Sequence, residues 1–329
     1  MKTTSSLLPE AAVSRRAFVQ ALGLAAVPLP AVSAAEPAPE ILDTHQHLWD
    51  TGKQHLPWLA GAPEVLRRNY LSADYAVATE GLSVRALYME VDVSEGTLNE
   101  EAESLRRLCA SKSSQTFAAI LGGRPASEQF EEYVKRHSEG GFLKGIRRVL
   151  HNSEAPRGMC LEKEFLRGLR TLGKYGLTFD LCMRPGELGD AAALAAECPD
   201  TTLIVDHCGN ADAKAFMKSP PGQPAHRPED WQRAIERLAI KPNVHCKISG
   251  VIESLPGGWA TEQLSPVVNH CLDTFGPDRV VFGSNWPVCL LGGTLRNWVK
   301  ALGEIVAARP AAERSKLWTE NARRIYKLA

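Results

Sequence analysis

Three things are missing from this chain of 329 residues, and each absence removes a class of function. Net charge is the first: lysine plus arginine and aspartate plus glutamate number 38 each. Without a basic face, basic arm or acidic tail there is no electrostatic footprint for nucleic acid, so the expected partner is a small molecule. The second is the C-x-x-C pair, although eight cysteines are present. Cys182, Cys208, Cys246 and Cys289 sit in or beside apolar runs, which reads as buried small hydrophobes in place of a disulfide framework. The third is a membrane span, since the apolar run from Ala21 to Val32 falls short of the roughly 20 residues needed.

What is present divides into a short leader and one large domain. Ser14-Arg15-Arg16-Ala17-Phe18-Val19-Gln20 precedes the alanine-rich run and the prolines at 37 and 39, a pattern that resembles a twin-arginine export signal cleaved after Ala34 or Ala35. Residues 1–35 are therefore expected to engage the twin-arginine export machinery, leaving a periplasmic protein of residues 36–329 with no stable membrane insertion. At 44% hydrophobic and 23% charged residues, the remainder is long for an ordinary domain but normal for an α/β barrel.

From Glu40 onward, short β-prone runs alternate with stretches of helical period. The runs are Ile41 to Leu48, Val84 to Val93, Thr116 to Arg124, Leu143 to His151, Leu177 to Pro185, Thr202 to Gly209, Asn243 to Gly250 and Arg279 to Pro287. Helical spacing covers 99–111, 127–137, 161–175, 231–239 and 295–309, with Ala312 to Leu328 as a closing helix. Eight strands with helix-length crossovers predict a single-domain (β/α)8 TIM barrel. Long loops are expected after strands 1, 6 and 7, at 49–83, 209–230 and 251–277, on the face where barrel enzymes build their sites. Trp49, Trp58, Tyr70 and Trp259 in those loops either wall a pocket or plug the loops down.

The carboxyl ends of the strands carry an unusual polar set. His45 and His47, two apart on an extended strand, share one face. The later strands add Glu90 and Asp92, then Arg147, Arg148 and His151, Asp180 and Arg184, Asp206 and His207, Lys247 and Ser249, and Ser284 and Asn285. Polar groups gathered at one end of successive parallel strands are costly unless paired or catalytic.

With these motifs in view, the chain resembles the amidohydrolase-related metal-dependent hydrolases of barrel fold, in the branch that holds L-fuconolactonase and the dicarboxylate lactonases. The resemblance runs from Ile41 to the end and rests on DTHQHLWD at 43–50, KGIRRVLH at 144–151, FDLCMRP at 179–185, IVDHCGN at 204–210, PNVHCKISG at 242–250, FGPDRVVFGSNWPVC at 275–289 and ENARRIY at 320–326. It implies that His45, His47 and His207 bind one divalent metal, a zinc-type ion, or hold substrate directly. It implies Arg147 as the cation that meets a substrate carboxylate or hydroxyl; His151, Arg184, Lys247 and Trp49, from the same face, are expected as further substrate contacts. Strand four carries arginines where many members have the bridging lysine of a two-metal site, which favours one metal or none.

At position 285 the family usually has aspartate, the base that activates water. Here it is Asn285, and an amide cannot accept the proton. Either Glu90, His207 or His151 takes that task while Asn285 positions the water, or the chain has become a carbohydrate- or carboxylate-binding barrel. The favoured expectation is hydrolysis of a sugar-acid or related carboxylated lactone by water attack on the ring carbonyl; a metal-dependent decarboxylase shares the geometry and differs in the reacting bond.

Overall fold

The computed structural model describes Met1, residues 40–111 and residues 113–328. The export-signal reading and the boundary at residue 35 fall outside the described residues. Eight strands, β1 (Ile41–Gln46), β2 (Val84–Met89), β3 (Thr116–Gly122), β4 (Leu143–Val149), β5 (Thr178–Cys182), β6 (Thr202–Val205), β7 (Val244–Ile248) and β8 (Val280–Phe282), pair in sequence order, all parallel. Parallel neighbours need a crossover. Here each is a helix: α1 (Ser72–Ala78), α2 (Leu98–Ala110), α3 (Phe130–Ser138), α4 (Lys163–Tyr175), α5 (Leu188–Glu197), α6 (Pro228–Ala239) and α7 (Thr261–Phe275), with α8 (Leu295–Val306) after the last strand. The ring closes where Gln46 bridges Trp286, the His47 N–H donates to Trp286 O at 2.7 Å and the Thr44 hydroxyl donates to Phe282 O at 2.6 Å. The expected single-domain (β/α)8 barrel is the observed one.

The alternation of each strand sorts its side chains. One set packs outward under the helices, as Phe179 does edge-on to Phe165 of α4 at 5.7 Å between ring centres. The other set fills the lumen, where Leu42, Leu87, Met89, Ala118, Ile120, Ile204 and Val281 pack with Tyr326. Above this apolar floor the lumen turns to charge: Ile204 is followed two residues on by Asp206, which with Asp180 pairs with Lys247, all fully buried.

Several elements differ from the sequence expectation. The strands are shorter than the β-prone runs because the ladders stop before the polar residues do, and the chain turns there. The stretch 251–277, expected as a long loop, is largely α7, whose Leu264, Val267, Val268, Cys271, Leu272 and Phe275 are buried at helical spacing; Pro266 lies inside the helix. Helix α5 was not expected from the periodicity, being alanine-rich with little polar contrast. The closing helix 312–328 is two short helices, Ala311–Ser315 and Asn321–Ile325, joined by a π turn at Lys316–Glu320. That wider turn buries both Leu317 and Trp318, the latter 4.8 Å from the Phe282 ring.

All eight cysteines are free thiols and seven are buried, as their apolar settings suggested. Among the described residues no helix is long and apolar enough to cross a membrane.

Candidate active site

At the carboxyl end of the barrel a cavity of about 360 Å³ opens above the charged layer. Arg147 reaches it from β4; His47, Trp49, His207, Glu253 and Asn285 reach it from the segments that follow the strands. Four of the residues around it, Asp92, His207, Asn210 and Asn285, hold positive φ angles between 50° and 55°, as does Cys208 at 52°. Non-glycine residues adopt this region rarely, and such backbone persists where the surroundings over-determine it. The turn after β6 turns His207 toward the cavity, and Gly250 clears the space it needs: a Cβ there would lie 2.4 Å from the imidazole.

Beneath the cavity floor lies a buried ion network. Lys247, fully buried, donates to Asp180 Oδ1 at 2.5 Å and pairs with Asp206 Oδ1 at 2.9 Å. Its ammonium also stands 3.2 Å from His45 Nδ1, while Arg147 Nη1 stands 3.3 Å from His45 Nε2 and 3.6 Å from Asp206 Oδ2. Burial pushes the Asp180 carboxyl up to about 7 although the neighbouring ammonium pulls it down; Asp206, fully buried as well, stays well below the usual carboxylate range because Lys247, His45 and His207 surround it. Both carboxylates touch the same lysine, and the Asp206 charge itself helps to raise Asp180.

Burial, with the cations Arg147 and Lys247 nearby, pushes His207 down to about 3, and burial with Arg147 does the same to His47; His45 is lowered as well. All three imidazoles are therefore neutral at physiological pH. His47 Nδ1 bonds Met89 O at 3.0 Å and His207 Nδ1 bonds Ser249 Oγ at 2.8 Å, leaving each Nε2 available at the cavity wall. Arg147 is held in place by Glu90: Nε donates to Oε1 at 2.6 Å and Nη2 to the main-chain O at 2.7 Å. Burial opposes its charge, but Glu90 and Asp206 raise its pKa further, so it stays cationic.

The residues singled out from the sequence fall into two groups. His47, His207, Arg147, Asn285, His151 and Trp49 all line the cavity, and His45 lies beside them with ring centres 4.8 Å from His47 and 4.4 Å from His207. Glu90, Lys247 and Arg184 do not line it. Glu90 has both carboxylate oxygens engaged, one by Arg147 and the other by the Asp92 N–H at 2.6 Å, which makes it a support for the guanidinium and no free proton acceptor. Lys247 is sealed in the network below. Arg184 donates to the carbonyls of Leu150, Asn152 and Ala155 and to Glu187, bracing the loop after β4 where a substrate contact was expected.

For a metal, one convergent donor set at the cavity is His45, Asp206 and His207, whose ligand atoms lie within 4.8 Å of one another; it brings in Asp206 beside two of the three histidines expected as ligands. Three buried N and O donors, two of them neutral imidazoles, suit a single zinc-type ion with an open position. A neutral imidazole has one lone pair. That of His45 faces Lys247 or Arg147, so an ion drawing on it would displace a cation already there.

Glu253 was missed in the sequence. It follows β7 in the segment Val251 to Ser254, lines the cavity, and accepts from Asn285 Nδ2 at 2.9 Å. The signal was available: it is the first carboxylate after strand seven, on the face where the strand-to-helix loops build sites.

The family model described as amidohydrolase matches residues 42–328. An L-fucono-1,5-lactonase from Burkholderia multivorans is 28% identical over 296 residues, 87% of this chain and 96% of the relative. Among solved structures, an amidohydrolase from the same species with bound zinc has a TM-score of 0.77 at 26% identity, covering 88% of this chain and 99% of its own. An amidohydrolase from Bifidobacterium longum subsp. infantis has a TM-score of 0.67 at 32% identity, covering 89% and 100%. With the barrel, the strand-end histidines and a match across nearly all of the described domain, this chain belongs to the amidohydrolase family.

Proposed function

We propose that this protein hydrolyses a lactone, of a sugar acid or another carboxylated ring, by attack of water on the ring carbonyl. The observation that carries the reading is a fixed guanidinium at the wall of a cavity of about 360 Å³, set beside two neutral imidazoles with available Nε2 atoms. The volume lies within the range of small-ligand sites. Its similarity to a lactonase supports the same reaction class.

In this reading Arg147 is a preorganised donor for the oxygen on which negative charge develops. It cannot lose its proton, so its charge is constant through the reaction. His47 and His207, neutral, orient the ring and its hydroxyls without adding charge, and Trp49 gives the sugar an apolar wall. An ion held by His45, Asp206 and His207 would further polarise the carbonyl.

The test is hydrolysis of a panel of aldonolactones by the purified protein, before and after chelation. Turnover of at least one lactone is expected, and at least about a tenth of it should survive chelation, because Arg147 and Lys247 already supply positive charge at those donors. Activity falling below about one percent and returning with zinc would make the ion essential. Tight binding of lactones without turnover would favour the carbohydrate-binding alternative.

A further inference from the structure

The family's strand-eight aspartate is asparagine here, yet the same wall of the cavity holds a carboxylate. Glu253 Oε1 accepts from Asn285 Nδ2 at 2.9 Å, while its Oε2 is buried and has no hydrogen-bond partner among the described residues. An unpartnered buried oxygen is expensive unless a water or ligand completes it. Glu253 lines the cavity, so a water that completed Oε2 would stand against that wall.

Resting on the lactonase reading, we propose that Glu253 is the catalytic base, holding the attacking water on Oε2, and that Asn285 is its positioning residue. Glu253 stands on the turn after β7, and the amide of Asn285 fixes the orientation of its carboxylate. As the water oxygen bonds to the lactone carbonyl carbon, Glu253 takes one of its protons. The ring C–O bond then breaks, and the same proton passes from Glu253 to the departing ring oxygen. The product is the open hydroxy acid, which carries the second water hydrogen on its new carboxyl group, and Glu253 ends ionised as it began.

The electrostatics agree with this role. Burial pushes the Glu253 carboxyl up to about 7, against the lowering effect of the Asn285 hydrogen bond. The titratable groups that face it are the thiols of Cys208, after β6, and Cys289, after β8; His207 stands on the same cavity wall, and Lys214 and Asp212 on the adjoining turn pair with each other at 3.6 Å. No ion pair holds Glu253 ionised among the described interactions. A base with such a value is half ionised at neutral pH, which is where proton transfer in both directions is efficient.

The experiment compares wild type, Glu253→Gln, Asn285→Asp and the double variant E253Q/N285D on the lactone turned over best, with pH profiles and thermal midpoints. In wild type kcat should fall as the pH drops through about 7, because the base must be ionised. Glu253→Gln should lower kcat by about 10² to 10⁴-fold, with KM within about threefold and the thermal midpoint kept. The double variant should regain at least about tenfold over Glu253→Gln, since it returns a carboxylate to the same wall. An active wild type whose E253Q variant keeps kcat within about threefold overturns this inference alone. A double variant no better than E253Q overturns the positioning role of residue 285. A wild type silent on every lactone overturns the lactonase reading itself, and this inference with it.

Discussion

Lys247→Met is expected to cost the fold about 3–5 kcal/mol, the usual penalty for breaking a buried ion pair from one side. Among the described residues the ammonium is the one partner within 3 Å shared by Asp180 Oδ1 and Asp206 Oδ1, and all three residues are fully buried. Methionine matches the stem in length but leaves two carboxylates side by side in the barrel interior. One of them would have to be protonated to remain there. Since domains of this kind have only about 5–15 kcal/mol in hand, the variant should unfold at a much lower urea concentration or fail to accumulate. The triple variant K247M/D180N/D206N removes the stranded charges as well and should recover a good part of the loss. A single-variant penalty below about 1 kcal/mol would show that the network matters to stability far less than its burial indicates.

The second large effect is expected on activity. Arg147→Lys preserves the positive charge and should still lower kcat/KM by about 10² to 10³-fold, the range for loss of a preorganised oxyanion donor. A guanidinium has five N–H groups in a fixed plane. Three of them serve Glu90 Oε1, the Glu90 carbonyl and His45 Nε2, Nη1 also stands 3.6 Å from Asp206 Oδ2, and the residue lines the cavity. An ammonium can hold the Glu90 carboxylate only by giving up the rest of that pattern. Steady-state kinetics on the lactone turned over best would decide it. A variant within about fivefold of wild type would mean that charge alone, without the fork, is what the site requires.

The barrel was legible in the sequence because period is a local property. Eight β-prone runs separated by crossover-length segments leave few other folds, and each run did contain a strand. The boundaries were not, since the runs carry on past the ladders into Asp92, His207 and Asn285, whose positive φ angles are set by the fold. The strand-end histidines and Arg147 were legible for the same reason as the strands. What escaped was partnership. Nothing in the spacing of Glu90 and Arg147 says that one holds the other, and Lys247 reads as a substrate contact until its full burial is known. Glu253 and Asn285 are 32 residues apart, and only the fold sets them 2.9 Å from each other. The export signal rests on sequence alone.

The joint between β8 and β1 has one further consequence. Every other pair of neighbouring strands is zipped by a ladder of at least three paired residues, whereas this joint has a single bridge, Gln46 to Trp286, and a few stray bonds around a three-residue strand. Local opening begins where a structure has the fewest bonds to lose. His45 and His47 stand on one lip of this seam and Asn285 on the other, so a barrel that gapes here parts the proposed site first. On gentle warming, amide exchange should quicken around 44–47 and 282–286 and turnover should fade while the helical signal is still whole, the molecule losing its trade before its shape.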